Sequence, residues 1–183
     1  MISSHKSRER RTVLLLIAFA GIALFIGVVV YVLDRSPSSV YFLTGWDNNY
    51  GQLYGDVGLT RGYFGKIGLY LPTMLHTYAF ILLTMALVIP CQSIKKYNMQ
   101  VCFVWFVIES LFELAQMDTI AYLIADWFPL GFANIPFIKN IPNYFIAGTF
   151  DALDLLSIAV GAIVAYLTIQ YITQKVYVNA HEG

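Results

Sequence analysis

The sequence predicts an all-α, polytopic membrane protein with four transmembrane helices, both termini in the cytoplasm and two long extracytoplasmic loops. Of its 183 residues, 58% are hydrophobic and only 12% are charged, whereas soluble domains carry about 25% charged residues. An α-helix needs roughly 20 apolar residues to cross the hydrocarbon core. Four segments meet this requirement, at about 12–33, 69–90, 99–117 and 151–174. We therefore interpret residues 1–183 as a single membrane domain.

Basic residues predict the orientation of these segments. They are concentrated in residues 1–11, before the first segment, and Lys95 and Lys96 lie between the second and third segments. Lys175 follows the fourth segment. Because Lys and Arg mark the cytoplasmic side, residues 34–68 and 118–150 are predicted to form outer loops.

Three further observations narrow the class of protein. The apolar region of the first segment is longer than the roughly 7–15 residues of a cleaved signal peptide, so we expect a retained anchor. Cys91 and Cys102 lie toward the cytoplasmic end and form no Cys-x-x-Cys motif, which predicts reduced, packed side chains rather than a disulfide or a metal site. The formal net charge is zero, and nothing indicates nucleic-acid binding.

Glycines in the first outer loop allow two interpretations. Their spacing of four, three, four and three residues would form a seam for close contact on a helix. Each Gly costs about 1 kcal/mol in a helix relative to Ala, which favours a flexible loop. The glycines are Gly51, Gly55, Gly58, Gly62 and Gly65.

The second outer loop is unusually apolar, but prolines prevent it from forming a fifth span. These are Pro129, Pro136 and Pro142. Aromatic side chains of this kind suit the head-group region; they are Trp127, Phe128, Phe137, Tyr144 and Phe145. We expect the loop to lie on the outer membrane surface or to dip into it.

Polar residues recur at helical spacing on one face of each of the last three segments. In the order of the segments, the sets are Thr73, His76, Thr77 and Thr84; Glu109, Glu113 and Gln116; and Asp151, Asp154, Ser157, Gly161, Ala165 and Thr168. A charge at the bilayer centre costs from ~3 to more than ~10 kcal/mol, so these faces should turn toward each other. The ionisable side chains fall in the outer halves of the segments, which predicts a polar pocket there. Its expected members are His76, Glu109, Glu113, Gln116, Asp151 and Asp154.

Several of these residues also have a purely structural interpretation. Thr149 is a candidate cap for the last helix, with Asp151 then in the first turn, where the helix dipole favours an acid. Ser157, Gly161 and Ala165 form a small-residue packing seam. The threonines are expected to bond to their own backbone carbonyls. Glu109 is interpretable as a protonated acid that joins two helices.

The motifs LPTMLH, ESLFELAQ and GTFDALDLLSIAVGA occur in this order and resemble the VanZ-like family of small bacterial membrane proteins. The resemblance covers about residues 69–170. It rests on an early His in one span, Glu-x-x-Gln near the end of the next, and Asp-x-x-Asp before a Gly-containing last span. The matching residues are His76, Glu113, Gln116, Asp151, Asp154 and Gly161. The resemblance implies a bacterial cytoplasmic membrane, a cell-envelope role and a link to low-level resistance to glycopeptide antibiotics of the teicoplanin type.

The first functional hypothesis is a pocket for an envelope lipid or another amphiphile. Because Glu113, Asp151 and Asp154 would repel a bare phosphate, either these acids are partly protonated or a divalent cation intervenes. His76, Glu113 and Asp154 offer ligands for such a cation. With the metal bound, His76 or Glu113 would be the candidate base for a hydrolysis.

The second hypothesis is a non-catalytic membrane partner or assembly subunit. In this case the polar cluster holds the helices together, and the apolar stretch 118–147 contacts another membrane protein.

Overall fold

The computed structural model describes residues 2–34, 63–89, 94–129 and 141–178. The regular elements in these ranges are all α-helices, as predicted. In chain order they are α1 (Ile2–Asp34), α2 (Gly65–Val88), α3 (Ile94–Leu114), α4 (Asp118–Trp127), α5 (Ile141–Ala147) and α6 (Ala152–Val178). The glycine-rich stretch 51–62 and Cys91, about which the sequence made predictions, lie outside the described residues.

Three stretches of the described chain are long and apolar enough to cross a membrane. They are Ser7–Asp34, Gly65–Val88 and Ala152–Val176, in helices α1, α2 and α6. They correspond to the predicted first, second and fourth spans. The third predicted span corresponds to α3, which qualifies only together with α4 as a bent pair. The count of four spans therefore remains a prediction.

The long helices pack side by side, with α2 in contact with α1, α3 and α6. Leu16, Ile81, Leu82, Met85 and Ile169 are fully buried between them. Large apolar side chains also cover the outside of the bundle; examples are Phe25, Leu87, Phe103, Leu167 and Tyr171. An apolar exterior of this extent is typical of a surface that contacts lipid.

The end of α1 is joined to the beginning of α2 by Asp34. The backbone N–H of Phe64 donates a hydrogen bond to Oδ1 of Asp34 at 3.1 Å. The same carboxylate lies directly against Gly68, where a β-carbon would collide with it. Gly65, the first residue of α2, has a φ of +55°, which non-glycine side chains rarely adopt. This end of the helical hairpin thus combines an acidic cap with two glycines.

Helices α2 and α6 approach each other closely at Gly161. A β-carbon placed there would lie 2.5 Å from the backbone oxygen of Met74 and 3.2 Å from the Cβ of Thr77. Gly161 and Ala165 are both buried, which confirms the predicted small-residue seam at these two positions. A glycine is needed at this crossing because the neighbour is rigid helix backbone rather than a side chain that can move.

The third predicted span, at about residues 99–117, differs in its bounds from the helix found there, which runs from Ile94 to Leu114. Helix α3 stops at Leu114, and α4 leaves at 90° to it. The last turn tightens, since the N–H groups of Gln116 and Met117 bond to the carbonyls of Glu113 and Leu114, each at 3.1 Å. No Gly or Pro marks the bend, so the usual sequence signals of a helix break are missing.

The structure also bears on the predictions for the threonines and for Cys102. The hydroxyls of Thr77 and Thr168 donate to the carbonyls of Thr73 and Val164, as expected. The hydroxyl of Thr84 accepts a 2.8 Å bond from the indole N–H of Trp105 in α3, a contact between helices that the sequence did not indicate. Cys102 is a buried free thiol, in agreement with its predicted packing role.

We predict that Gly161→Ala destabilises the bundle by about 1–3 kcal/mol, the usual range for overpacking a close contact. The added methyl group would push α6 away from the backbone of α2. Thermal unfolding of the detergent-solubilised protein, followed by circular dichroism, measures the effect. Gly21→Ala is the matched control, because a β-carbon at Gly21 meets nothing within 4 Å. An equal loss of stability in both variants would contradict the assigned role of Gly161.

Candidate functional site

Asp151 is the N-terminal cap of α6. Its Oδ1 accepts the backbone N–H of Leu153 at 2.9 Å, and its carbonyl accepts the N–H of Asp154 at 3.0 Å. The alternative in which Thr149 caps the helix and Asp151 occupies the first turn is therefore wrong. Asp154, expected a turn deeper, is the acid in the first turn, where the helix dipole favours a negative charge.

Asp151 also links α6 to two other helices. The hydroxyl of Tyr70 in α2 donates to Oδ2 of Asp151 at 2.9 Å. The backbone N–H of Asp151 donates to Oε1 of Glu113 in α3 at 2.8 Å. Glu113 is only 7% exposed, so this bond satisfies a carboxylate that has little access to solvent. A single residue thus connects α2, α3 and α6.

Gln116 completes the surroundings of Glu113 at the bend that follows α3. Its side-chain amide lies 3.5 Å from Oε2 of Glu113, at the outer limit for a hydrogen bond. The same amide fills the space beside Gly148, so that a β-carbon at Gly148 would collide with it. The chain leading into α6 therefore packs against the bend through the side chain of Gln116, for which Gly148 leaves room.

His76 and Glu109 form a second polar pair, one helical turn from Glu113 along α3. Nδ1 of His76 lies 3.5 Å from Oε1 of Glu109. The Glu109 side chain is 14% exposed, whereas the His76 side chain is 47% exposed. The predicted contact between α2 and α3 is therefore made by a pair that remains open on the histidine side.

Aromatic rings continue from His76 along the α2–α3 contact. The ring of His76 lies 4.0 Å from that of Phe80, measured between centroids, and Phe80 lies 5.0 Å from Trp105. These rings provide an apolar wall next to the polar pair. This combination of a few polar groups with aromatic walls is typical of sites that bind small organic molecules.

Tyr144, on the short helix α5, also belongs to the site. Burial raises the pKa of its hydroxyl above the ordinary value, and the carboxylates of Glu113 and Glu109 raise it further. Tyr31 and Asp154 have weaker effects in the same direction. Tyr144 is therefore close to acids from both α3 and α6. The sequence placed this residue among the head-group aromatics, and no motif indicated its position near the acids.

The predicted site residues thus fall into two groups. Direct hydrogen bonds connect Glu113, Gln116 and Asp151, with the addition of Tyr70, which the sequence did not indicate. His76 and Glu109 make a separate pair, and Asp154 lies within electrostatic range of Tyr144. Among the described residues, no group of three or more His, Cys, Asp or Glu side chains is arranged to hold a metal ion. The suggested set of His76, Glu113 and Asp154 is accordingly not gathered as metal ligands.

Comparisons of the chain with protein-family models, curated proteins and solved structures found no match. The VanZ-like resemblance continues to rest on the three motifs and their order in the chain.

We predict that Asp151→Ala lowers the free energy of unfolding by about 1–2 kcal/mol, the range for loss of an N-terminal cap. Asp151→Asn should retain most of the stability, because asparagine caps helices about as well as aspartate. Thermal unfolding in detergent distinguishes the two variants. If Asn is as damaging as Ala, capping is not the main contribution of this side chain.

The bond from Asp151 to Glu113 gives a second prediction. Glu113→Ala should destabilise the bundle by about 1–3 kcal/mol, because it leaves a backbone N–H without its acceptor. Glu113→Gln keeps an oxygen at the same place and should be milder. The same unfolding measurement tests both variants, and equal destabilisation would show that the negative charge matters more than the acceptor.

Proposed function

We propose that this chain is a VanZ-like, multi-pass protein of the bacterial cytoplasmic membrane that binds an envelope lipid or another amphiphile. In the predicted orientation both termini are cytoplasmic, and the polar cluster lies in the outer half of the bilayer. The bound molecule would place its head group against His76 and Glu109. The link to glycopeptide resistance implied by the resemblance is part of this proposal.

The pair of His76 and Glu109 carries the proposal. His76 stands near the middle of α2, a helix apolar enough to cross the membrane, yet about half of its side chain is exposed. An ionisable side chain at such a depth is costly unless it meets a polar partner. Glu109 occupies one side of the imidazole. A polar group of a bound molecule would contact the imidazole on its exposed side and serve as its second polar partner.

The surroundings favour a particular kind of head group. The carboxyl group of Glu109 lies beside His76, so the pair offers a hydrogen-bond acceptor to a bound molecule. Hydroxyl, amide or ammonium groups suit such acceptors, whereas a bare phosphate would be repelled. The aromatic rings of Phe80 and Trp105 provide the surface along which an acyl or prenyl chain would lie.

A specific observation supports the second hypothesis for part of the cluster. Glu113 and Asp151 are bonded to each other, Asp151 also contacts Tyr70 and Leu153, and Glu113 is only 7% exposed. We assign them the structural role, in which buried polar groups hold the helices together. His76 and Glu109 are left as the residues that contact the bound molecule.

Native mass spectrometry of the protein, purified in mild detergent from a bacterial host, tests the proposal. The wild-type protein should retain an amphiphile as an adduct. His76→Gln and Glu109→Gln should each reduce its occupancy at least ~tenfold, equivalent to about 1.4 kcal/mol of binding free energy. Helicity and unfolding temperature should change little in His76→Gln, since the His76 side chain is half exposed.

Asp126→Asn is the matched control for this experiment. It removes an exposed carboxylate from α4, outside the pair, and should leave the adduct in place. Adducts that persist in both pair variants, or that disappear equally in the control, would contradict the proposal. Loss of a copurified protein instead of a lipid would favour the partner hypothesis.

A further inference from the structure

Helix α4 exposes a stripe of large apolar side chains that no other described element covers. Ile120 is 37% exposed, Leu123 59% and Trp127 81%. Their spacing of three and four residues places them along one side of the helix. The stripe is therefore continuous rather than a set of scattered apolar residues.

The other sides of α4 have different characters. Asp118, Thr119, Tyr122 and Asp126 are exposed and, at 100° per residue, lie on a side adjacent to the apolar stripe. Ala121 is buried, and α4 packs against α5. The helix thus has one packed side, one polar side and one apolar side that is left uncovered.

The direction of α4 indicates what covers this stripe. Helix α4 runs at 90° to α3. Transmembrane helices tilt by about 20° on average from the membrane normal. If α3 lies within the membrane, α4 runs nearly parallel to the membrane plane at the end of the bundle where α6 begins.

The apolar stripe is also continuous with the apolar exterior of α3. Leu111 and Phe112 are exposed near the end of α3, Met117 is exposed in the bend, and Ile120 follows. The same lipid that would cover α3 can therefore cover the first part of α4. A tryptophan at the far end suits the interface, where its ring is partly apolar and its N–H remains hydrated.

We propose that α4 is an interfacial membrane anchor, with Ile120, Leu123 and Trp127 inserted into the adjacent lipid leaflet and Asp118 and Asp126 facing water. The occupant of the stripe is lipid, not a protein partner. The proposal goes beyond ligand binding, because it concerns α4 alone and holds whether or not the pair of His76 and Glu109 binds an amphiphile.

The depth of Trp127 tests this inference in the full-length protein. The protein is reconstituted in phosphatidylcholine vesicles that contain phosphatidylcholine brominated on its acyl chains. Trp127 emission is taken as the difference between the wild-type protein and Trp127→Phe, which leaves the other tryptophans unchanged. We expect emission at short wavelength, loss of most of it in brominated vesicles, and little quenching by aqueous iodide.

Two results would overturn the inference. Emission at the wavelength of water-exposed tryptophan, with strong iodide quenching, would show that the stripe faces solvent. Protection from both quenchers in native membranes, with a copurified protein that Trp127→Phe releases, would show a protein contact instead.

A second pair of variants tests the inference without relying on tryptophan fluorescence. Leu123→Lys places a charge in the apolar stripe, whereas Asp126→Lys places the same charge on the polar side. Only Leu123→Lys should lower the yield of protein extracted from membranes and its unfolding temperature in vesicles. Equal effects of the two substitutions would contradict insertion of the stripe.

Discussion

The hydrogen bond between the buried carboxylate of Glu113 and the backbone N–H of Asp151 is the constraint around which this end of the bundle is built. The first N–H groups of a helix have no partner within the helix. Glu113 is only 7% exposed, so little water reaches this contact. Glu113 provides the acceptor from α3, while the side chain of Asp151 caps its own helix and meets Tyr70 from α2. Three helix ends are thereby held in one arrangement.

Close backbone packing complements this polar contact. At Gly161 the absence of a side chain lets α6 pack directly against α2. This close approach is compatible with the hydrogen bond from Tyr70 in α2 to Asp151. Helix α3 contacts α2 on a different side, where His76 and Glu109 meet. The positions of the polar residues therefore depend on small residues located elsewhere in the helices.

The sequence was sufficient to predict the helical class, the positions of three long apolar helices and the grouping of acids from separate helices. These features depend on composition and helical periodicity, which are local properties. The division of the acids into a bonded group and an open pair could not be predicted. It depends on which helix each polar atom of Asp151 contacts. Those contacts are determined by packing between residues that are distant in the sequence.

Two further features of this region could not be predicted from the sequence. The bend after Leu114 contains no Gly or Pro that would have indicated it. In the structure it shows tightened backbone bonds, and Gln116 packs there on Gly148. Tyr144 was assigned to the head groups on the basis of residue type. Its position near Glu113 depends on a connection between α4 and α5 that carries no periodic pattern.

The cap that Asp34 places on α2 has a consequence for the connection between the first two helices. Because the carboxylate already brings the ends of residues 35–62 together, the two helices do not need this connection to set their register. Removing this carboxylate would therefore release the end of α1 from the beginning of α2.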